Sequence, residues 1–333
     1  MWLVTGATGH IGNVLVRELL ARGEKVRALI LPDESREPLK GLDVEAVEGD
    51  VLNFDSFFQS LHGIKGIFHL AGVISIMPGD DPLMRRVNVE GTRNVIRAAL
   101  QARIQKLIYT SSIHAVQRAQ HGVIDESLPY DMNNPYGAYD RSKAEATLEV
   151  QQAARAGLEA VILCPTGVIG PYDFRGSMMG DVIRTAAQQK PTLYVDGAYD
   201  FVDVRDVAKG LIAASERGVC GESYILSGQR ISVRYLLETV REITGRHFFQ
   251  MKVPFDLAKL AARITPIYYQ LTQSTPRFTP YSLEVLQSNS HISHAKATRE
   301  LGYHPRSLYE SITDAVYWFL EYRSLKLSEV GIR

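Results

Sequence analysis

Through the first two hundred residues, short β-branched runs alternate with amphipathic stretches. That alternation is the pattern of a parallel sheet whose strands are joined by crossover helices. It predicts strands at Met1–Thr5, Val26–Leu31, Val44–Glu48, Gly66–Leu70, Lys106–Thr110 and Ala160–Cys164. Helices are predicted over Gly12–Arg22, Pro82–Ala102 and about 138–156. The first of these puts Val14, Leu15, Leu19 and Leu20 on one face, as a helix lying on a sheet requires. Gly23 stands where a left-handed cap ends a helix. Beyond residue 171 the pattern loosens. Phe174–Gly180 and Thr272–Thr279 read as loops, and helices are predicted at Val233–Thr244 and Leu308–Tyr322. Strand-like Phe201–Val204 and Ser223–Leu226 are expected to return to the main sheet.

Composition narrows the class without naming a function. Apolar residues make up 45% and charged residues 22% of the 333 residues, which is ordinary for a globular protein. The 37 basic and 37 acidic residues cancel, so a nucleic-acid partner is not expected. Cys164 and Cys220 are too few for a disulfide framework and are expected to be reduced, mostly buried thiols. The nine histidines are scattered, and no metal site is expected. Met1–Val4 runs straight into the Thr5–Gly6 turn, leaving no room for a charged leader, so the expected location is cytoplasmic. The nearest approach to a membrane segment, Phe255–Leu271, is broken by Asp256, Lys259 and Arg263. It reads as a half-buried helix, and no integral membrane segment is expected.

The first chemistry sits at the first turn. Gly6, Gly9 and Gly12, with Thr8, His10 and Ile11 between them, lie between a predicted strand and a predicted helix. Glycines in that context allow a tight turn, close approach of backbone to a pyrophosphate, and tight helix–strand packing. The helix N-terminus adds free N–H groups and a partial positive charge. Asp50 and Val51 follow the third strand, where a carboxylate could accept from an adenine amino group. Leu70, Ala71 and Gly72 close the fourth strand with small residues beside a cofactor, and Asn88 and Thr92 could tie the sheet's carboxyl ends together.

Tyr139 and Lys143 are four apart and share one face of a predicted helix. A tyrosine titrates near ~10 and is a poor base at neutral pH. Bringing it close to neutrality takes roughly 4 kcal/mol, which a cation about 4 Å away supplies at an effective dielectric near ~20. Lys143, aided by an oxidised nicotinamide, is therefore expected to make Tyr139 a workable acid/base. The preceding strand ends in Thr110-Ser111-Ser112. Of the two serines, Ser112 is chosen as the hydroxyl that orients a reacting carbonyl oxygen.

With these segments in hand, the chain resembles the extended short-chain dehydrogenase/reductase family, of the epimerase/dehydratase type and nearest its dihydroflavonol-reductase-like members. The matching stretches are Thr5–Gly12, Gly49–Val51, His69–Gly72, Val87–Asn94, Tyr109–Ser112, Tyr136–Lys143, Cys164–Pro171, Phe201–Ala208 and Ala297–Pro305. The resemblance implies an α/β fold: a Rossmann-type doubly wound parallel sheet with a smaller C-terminal substrate-binding lobe. Residues 1–171, with 201–226 returning, would bind the dinucleotide, and 172–200 and 227–333 would mainly bind substrate. It also implies hydride transfer between nicotinamide and a carbonyl or hydroxyl carbon. Ser112, Tyr139 and Lys143 fall on the family's catalytic positions, and Lys143 would also hold the nicotinamide ribose. Thr110, Pro165, Thr166, Gly167 and Val168 fall along the cofactor, and a homodimer through the Tyr139 helix and its predecessor is implied.

Two departures sharpen the reading. NAD-preferring relatives carry an acidic residue where this chain has Ile30, and NADP-preferring reductases often carry arginine where it has Leu31. Arg36 or Lys40 could reach a 2′-phosphate, so the cofactor expectation is NADP(H) or NAD(H), leaning toward NADP(H). Nucleotide-sugar enzymes carry an arginine that Gly197-Ala198-Tyr199-Asp200-Phe201 lacks. The expected substrate is therefore a small hydrophobic or cyclic carbonyl compound. The alternatives are an epimerase or dehydratase with retained NAD, and a non-catalytic dinucleotide sensor. Specificity is expected in Val73–Asp80, His114 and its neighbours, Tyr172–Met179 and Phe255–Thr279, with Met77, Met178 and Met179 as an adaptable lining.

Overall fold

The computed structural model describes residues 1–75, 81–245, 249–272 and 279–329, though not the side chains of 263, 264, 266–272 and 323–329. In chain order the strands are β1 (Trp2–Thr5), β2 (Val26–Ile30), β3 (Glu45–Glu48), β4 (Gly66–His69), β5 (Lys106–Thr110) and β6 (Ala160–Pro165). There follow β7 (Gly167–Ile169), β8 (Thr192–Tyr194), β9 (Ala198–Asp203), β10 (Ser223–Leu226), β11 (Gln229–Ser232) and β12 (Gln250–Lys252). The helices are α1 (His10–Ala21), α2 (Phe54–Gln59), α3 (Pro82–Arg85), α4 (Thr92–Gln101), α5 (Ala138–Arg155) and α6 (Met178–Ala187). After them come α7 (Val204–Arg217), α8 (Val233–Thr244), α9 (Phe255–Thr272), α10 (Pro280–Gln287), α11 (Ala295–Leu301) and α12 (Leu308–Glu329).

Seven parallel strands make the main sheet in the order β10-β6-β5-β4-β1-β2-β3. The sheet grows outward from β1 in one direction, then resumes from β4 on the other side. The crevice between the carboxyl ends of β1 and β4 is the topological switch point, where open α/β sheets bind ligands. Every residue of β1, β4 and β6 is buried, as strands covered on both faces must be. Trp2 and Val4 pack with Val14, Leu15, Val207 and Leu301 in one layer. Leu3, pointing the other way, packs with Phe57, Val95 and Val150.

The predicted core elements form with small shifts. Helix α1 starts at His10, and Gly23 takes φ +76° in the expected left-handed position just past it. The predicted helix at 82–102 is interrupted: residues 86–91 make a π-helical turn between α3 and α4. An extra residue in that turn lets Gly91 sit against Val51, where a Cβ would come within 2.8 Å of Cγ2.

Three more expectations change. Ser223–Leu226 does join the main sheet, pairing with β6, but Phe201–Val204 does not. Its residues lie in β9 and the start of α7, and β9 is the middle strand of a second sheet between β7 and antiparallel β11. The edge of β6 is taken by β10, so β9 has no place there. The loop expected at Phe174–Gly180 stops at Ser177, whose hydroxyl caps α6. Cys164 is buried, but Cys220 lies in the exposed turn before β10.

Helix α9 buries Ala258 and Ala262 against Val195 and Leu283, while Leu257 and Leu260 are exposed. Among the described residues no helix is long and apolar enough to cross a membrane. Residues 76–80 and 273–278, which include Met77 and most of the loop expected at Thr272–Thr279, lie outside the described residues.

Candidate active site

At the carboxyl end of β1 the chain turns through Gly6 with φ +65°. A Cβ on Gly6 would lie 2.9 Å from backbone atoms of Leu70 and Ala71, and one on Gly12 would lie 2.0 Å from the Gly6 carbonyl oxygen. Only glycines let β1, the end of β4 and the first turn of α1 approach so closely. Gly9 caps α1 with no side chain, and the first turn carries no acidic residue. The positive end of the helix dipole is thus uncompensated by the chain itself, which suits a pyrophosphate. Thr8 donates to Glu34 at 2.6 Å, and the His10 ring is turned away to the Pro171 carbonyl at 2.9 Å.

The end of β4 is fixed by a buried chain of hydrogen bonds. The Thr5 hydroxyl accepts from the N–H groups of Leu70 and Ala71, at 3.1 and 3.0 Å, so its own proton goes to His69 Nδ1 at 2.8 Å. His69 must then carry its proton on Nε2 and donate to Thr92, which donates to the Asn88 carbonyl. Burial pushes this imidazole down to about 3, so it stays neutral. The Asn88 side chain bonds both backbone groups of Val73 and donates to the Ser142 hydroxyl at 3.0 Å. One network therefore ties the glycine turn, the wall Leu70–Gly72, the π-helical turn and α5.

Ser112, Tyr139 and Lys143 come together at the carboxyl ends of β5 and β6. The Ser112 hydroxyl acts on the Tyr139 phenol, and its oxygen accepts from the His114 N–H at 3.2 Å. Burial pushes the Tyr139 phenol up to about 12, against a lowering influence of the Ser112 hydroxyl. Lys143 is 6% exposed and donates to the Thr110 carbonyl at 2.7 Å, with its ammonium 4.7 Å from the Tyr109 ring centre. Burial pulls it down to about 8. The expected lowering of Tyr139 by Lys143 is therefore not seen here. The ammonium is drawn instead to the Thr110 carbonyl and the Tyr109 face. The Thr110 hydroxyl, in a residue 7% exposed, is buried with no partner. An orphaned hydroxyl at the carboxyl end of β5, two strands from the glycine turn, fits a bound polar cofactor.

Next to Tyr139 stands a second polar group. Tyr281 donates to Asp140 at 2.6 Å, so its oxygen is left to accept from His114 Nδ1 at 3.1 Å. His114 Nε2 then accepts from Tyr199 at 3.2 Å. Burial pushes the Asp140 carboxyl up, but His114, Arg118 and Tyr281 outweigh it and hold it below the usual range. Arg118 bonds Asp140 at 2.8 Å and lies over the Tyr136 ring, while its Nη1 is buried without a partner. The sequence pointed to His114 and its neighbours here. Arg118, Tyr199 and Tyr281 arrive from distant segments and carried no local signal.

The remaining predicted residues divide. Gly167 packs on Phe201, where a Cβ would lie 2.7 Å from the ring. Thr166 spends its hydroxyl on Asp200 at 2.6 Å, and burial raises that carboxyl to about 6. Pro165 ends β6, and Val168 is half-buried in β7. Asp50 accepts from the Leu52 N–H within its own turn, and Val51 is buried in the core. Ile30 points into the core, and Arg36 is paired with Glu48 at 2.7 Å. The acidic group beside the glycine turn is Glu34, which the sequence reading passed over.

The fold and this cleft can be set beside known proteins. Residues 2–227 match the model of the NAD dependent epimerase/dehydratase family. The chain is 36% identical over 321 residues to sterol demethylase protein B of Methylococcus capsulatus, covering 96% of this chain and 98% of that one. It is 30% identical to the 4-hydroxy-2-methyl-3-oxo-4-farnesyl-3,4-dihydroquinoline-1-oxide ketoreductase of Stigmatella aurantiaca, over 94% of each. Among solved structures, gox2253 superposes with a TM-score of 0.83 at 34% identity, over 97% of this chain and 98% of that one. A family match spanning the sheet, the glycine turn and the Ser112, Tyr139 and Lys143 cleft leaves one assignment: this chain belongs to the NAD-dependent epimerase/dehydratase family and is an NAD(P)-dependent enzyme of it.

Proposed function

We propose that the chain is a reductase or dehydrogenase moving a hydride between a nicotinamide and the carbonyl or hydroxyl carbon of a small hydrophobic or cyclic substrate. The observation that carries this reading is one cleft that gathers three groups: half-buried Tyr139 under the influence of buried Ser112, with buried Lys143 one helical turn on and held by the Thr110 carbonyl. Residues 1–171, with α7 and β10, serve the dinucleotide; β8, β9, β11, β12 and the later helices serve the substrate. The dinucleotide supplies the hydride. Gly6, Gly9 and Gly12 with the α1 terminus receive its phosphates, while Leu70–Gly72, Thr110 and Pro165–Val168 line its path. Tyr139, held near 12, is protonated at neutral pH and suits the acid that protonates a reduced carbonyl oxygen. Ser112 orients that oxygen, and Lys143 places the cofactor and a positive charge beneath it.

Tyr199, Tyr281 and His114 form an aromatic wall against Tyr139, which supports a cyclic or apolar substrate. The ketoreductase and sterol-related names of two relatives support the same class. We further propose a homodimer through α4 and α5, and a reducing, cytoplasmic setting in keeping with two unpaired cysteines. The test is oxidation of NADH and NADPH by the purified protein against cyclic and prenylated ketones, with Tyr139→Phe alongside. Turnover that falls about 10³-fold in the variant is expected. Silence across a broad panel while dinucleotide is bound would overturn the reading. Turnover of sugar nucleotides without net NAD(P)H change would replace it with the epimerase/dehydratase one.

A further inference from the structure

A strap after β7, residues 171–175, crosses the glycine turn. His10 holds it through the Pro171 carbonyl at 2.9 Å, and Asn13 through the Tyr172 carbonyl at 3.1 Å. Tyr172 has φ +67°, an unfavourable conformation for a residue with a side chain, and the Arg17 guanidinium sits 4.5 Å from its ring centre. Phe174 is clasped edge-on by Trp318 and Tyr322 of α12, with ring centres 5.1 and 5.3 Å away. The strap is thus fixed at both of its aromatic residues, and it delivers Arg175 to the far side of the turn. There Arg175 bonds the Thr8 hydroxyl at 2.7 Å and pairs with Glu34. The Glu34 carboxylate also accepts from Thr8 and from the Leu31 N–H, at 2.6 and 3.2 Å. It is therefore anchored to the backbone just past β2, whereas the Arg175 side chain, bonded to Thr8 and Glu34, is 56% exposed.

We propose that Glu34 and Arg175 together read the 2′ position of the adenosine ribose, in favour of the free diol of NAD(H). This rests on the dinucleotide reading above. The end of the second strand, beside a glycine turn, is where a Rossmann site meets that ribose. The usual reporters at Ile30 and Leu31 are apolar here, so Glu34 and Arg175 are the charged groups bonded to the turn itself. An anchored carboxylate accepts hydrogen bonds from a diol and repels a 2′-phosphate. Arg175 cannot satisfy a phosphate fully while Glu34 holds it. The two residues then act with opposite sign. Removing the acid frees the arginine for a phosphate, and removing the arginine leaves the acid unneutralised.

Direct binding to the ligand-free protein tests this without knowledge of the substrate. NADH and NADPH are titrated by nicotinamide fluorescence into wild type, Glu34→Gln, Arg175→Gln and the double variant. Wild type is expected to prefer NADH. Glu34→Gln should move the preference toward NADPH by about tenfold, the effect of one unit charge a few ångströms away screened by solvent at a water-like dielectric. Arg175→Gln should weaken NADPH by about tenfold and NADH by less than about threefold. The double variant should lose the NADPH gain of Glu34→Gln, showing that the gain runs through Arg175. A preference unmoved by either single change, or moved in the same direction by both, overturns the proposal. Failure of wild type to bind either dinucleotide would instead sink the dinucleotide reading itself.

Discussion

Lys143→Met should make the ligand-free protein more stable while abolishing its activity. The ammonium is buried and held at about 8 against an ordinary 10.5. At ~1.4 kcal/mol per pH unit, keeping it charged at pH 7 costs the folded state about 3 kcal/mol. Methionine fills similar space without charge, but it gives up the 2.7 Å bond to the Thr110 carbonyl. That loss returns about 1 kcal/mol, leaving a net gain near 2 at pH 7. The sign with pH follows from proton counts. Between the folded value and the ordinary one, the unfolded chain keeps the proton that the folded chain has released. Wild-type stability therefore rises through that window, and the advantage of the variant shrinks. The penalty should halve near pH ~9.3, and the two proteins should cross near pH ~10. Urea denaturation of both proteins at several pH values from 7 to 10.5 reads this gap. A gap that does not change with pH, or a variant already less stable at pH 7, would refute the reasoning.

Ser112→Ala removes the hydroxyl that acts on Tyr139, and ketone reduction should slow by about 10²-fold with dinucleotide affinity unchanged. Gly12→Ala would put a methyl 2.0 Å from the Gly6 carbonyl oxygen. The turn must then open, and dinucleotide binding measured by fluorescence should be lost. His69→Leu leaves the buried Thr5 hydroxyl proton without an acceptor and takes from Thr92 its donor, and should cost about 2–4 kcal/mol in chemical denaturation.

What the sequence revealed was what a short stretch of chain decides. The strand–turn–helix of β1 and α1 reads directly, because glycine spacing and apolar periodicity are local. The strand pattern around Phe201 was equally visible, but a pattern says that a segment is extended and not which sheet it joins. Pairing is decided by which edge is still open, and β10 had taken it. The Tyr139/Lys143 spacing placed both groups in the cleft, yet it could not show that the ammonium is engaged by Thr110 and Tyr109. Glu34 and Arg175 stand 141 residues apart, and only the strap that crosses the glycine turn brings them together. Ser142 drew no reading from the sequence, and its bond to Asn88 depends on a π-helical turn that apolar periodicity does not encode.

The position of β10 has a consequence for how the chain is made. β6 is buried along its whole length, with Ala160, Val161, Ile162, Leu163 and Cys164 all inaccessible, and its outer neighbour is synthesised some sixty residues later. During translation the sheet must wait, with an apolar edge uncovered, until residues 223–226 have left the ribosome. An unpaired edge of that kind recruits strands from other chains. A truncated product ending within α7 would therefore be a seed for aggregation rather than a smaller working domain.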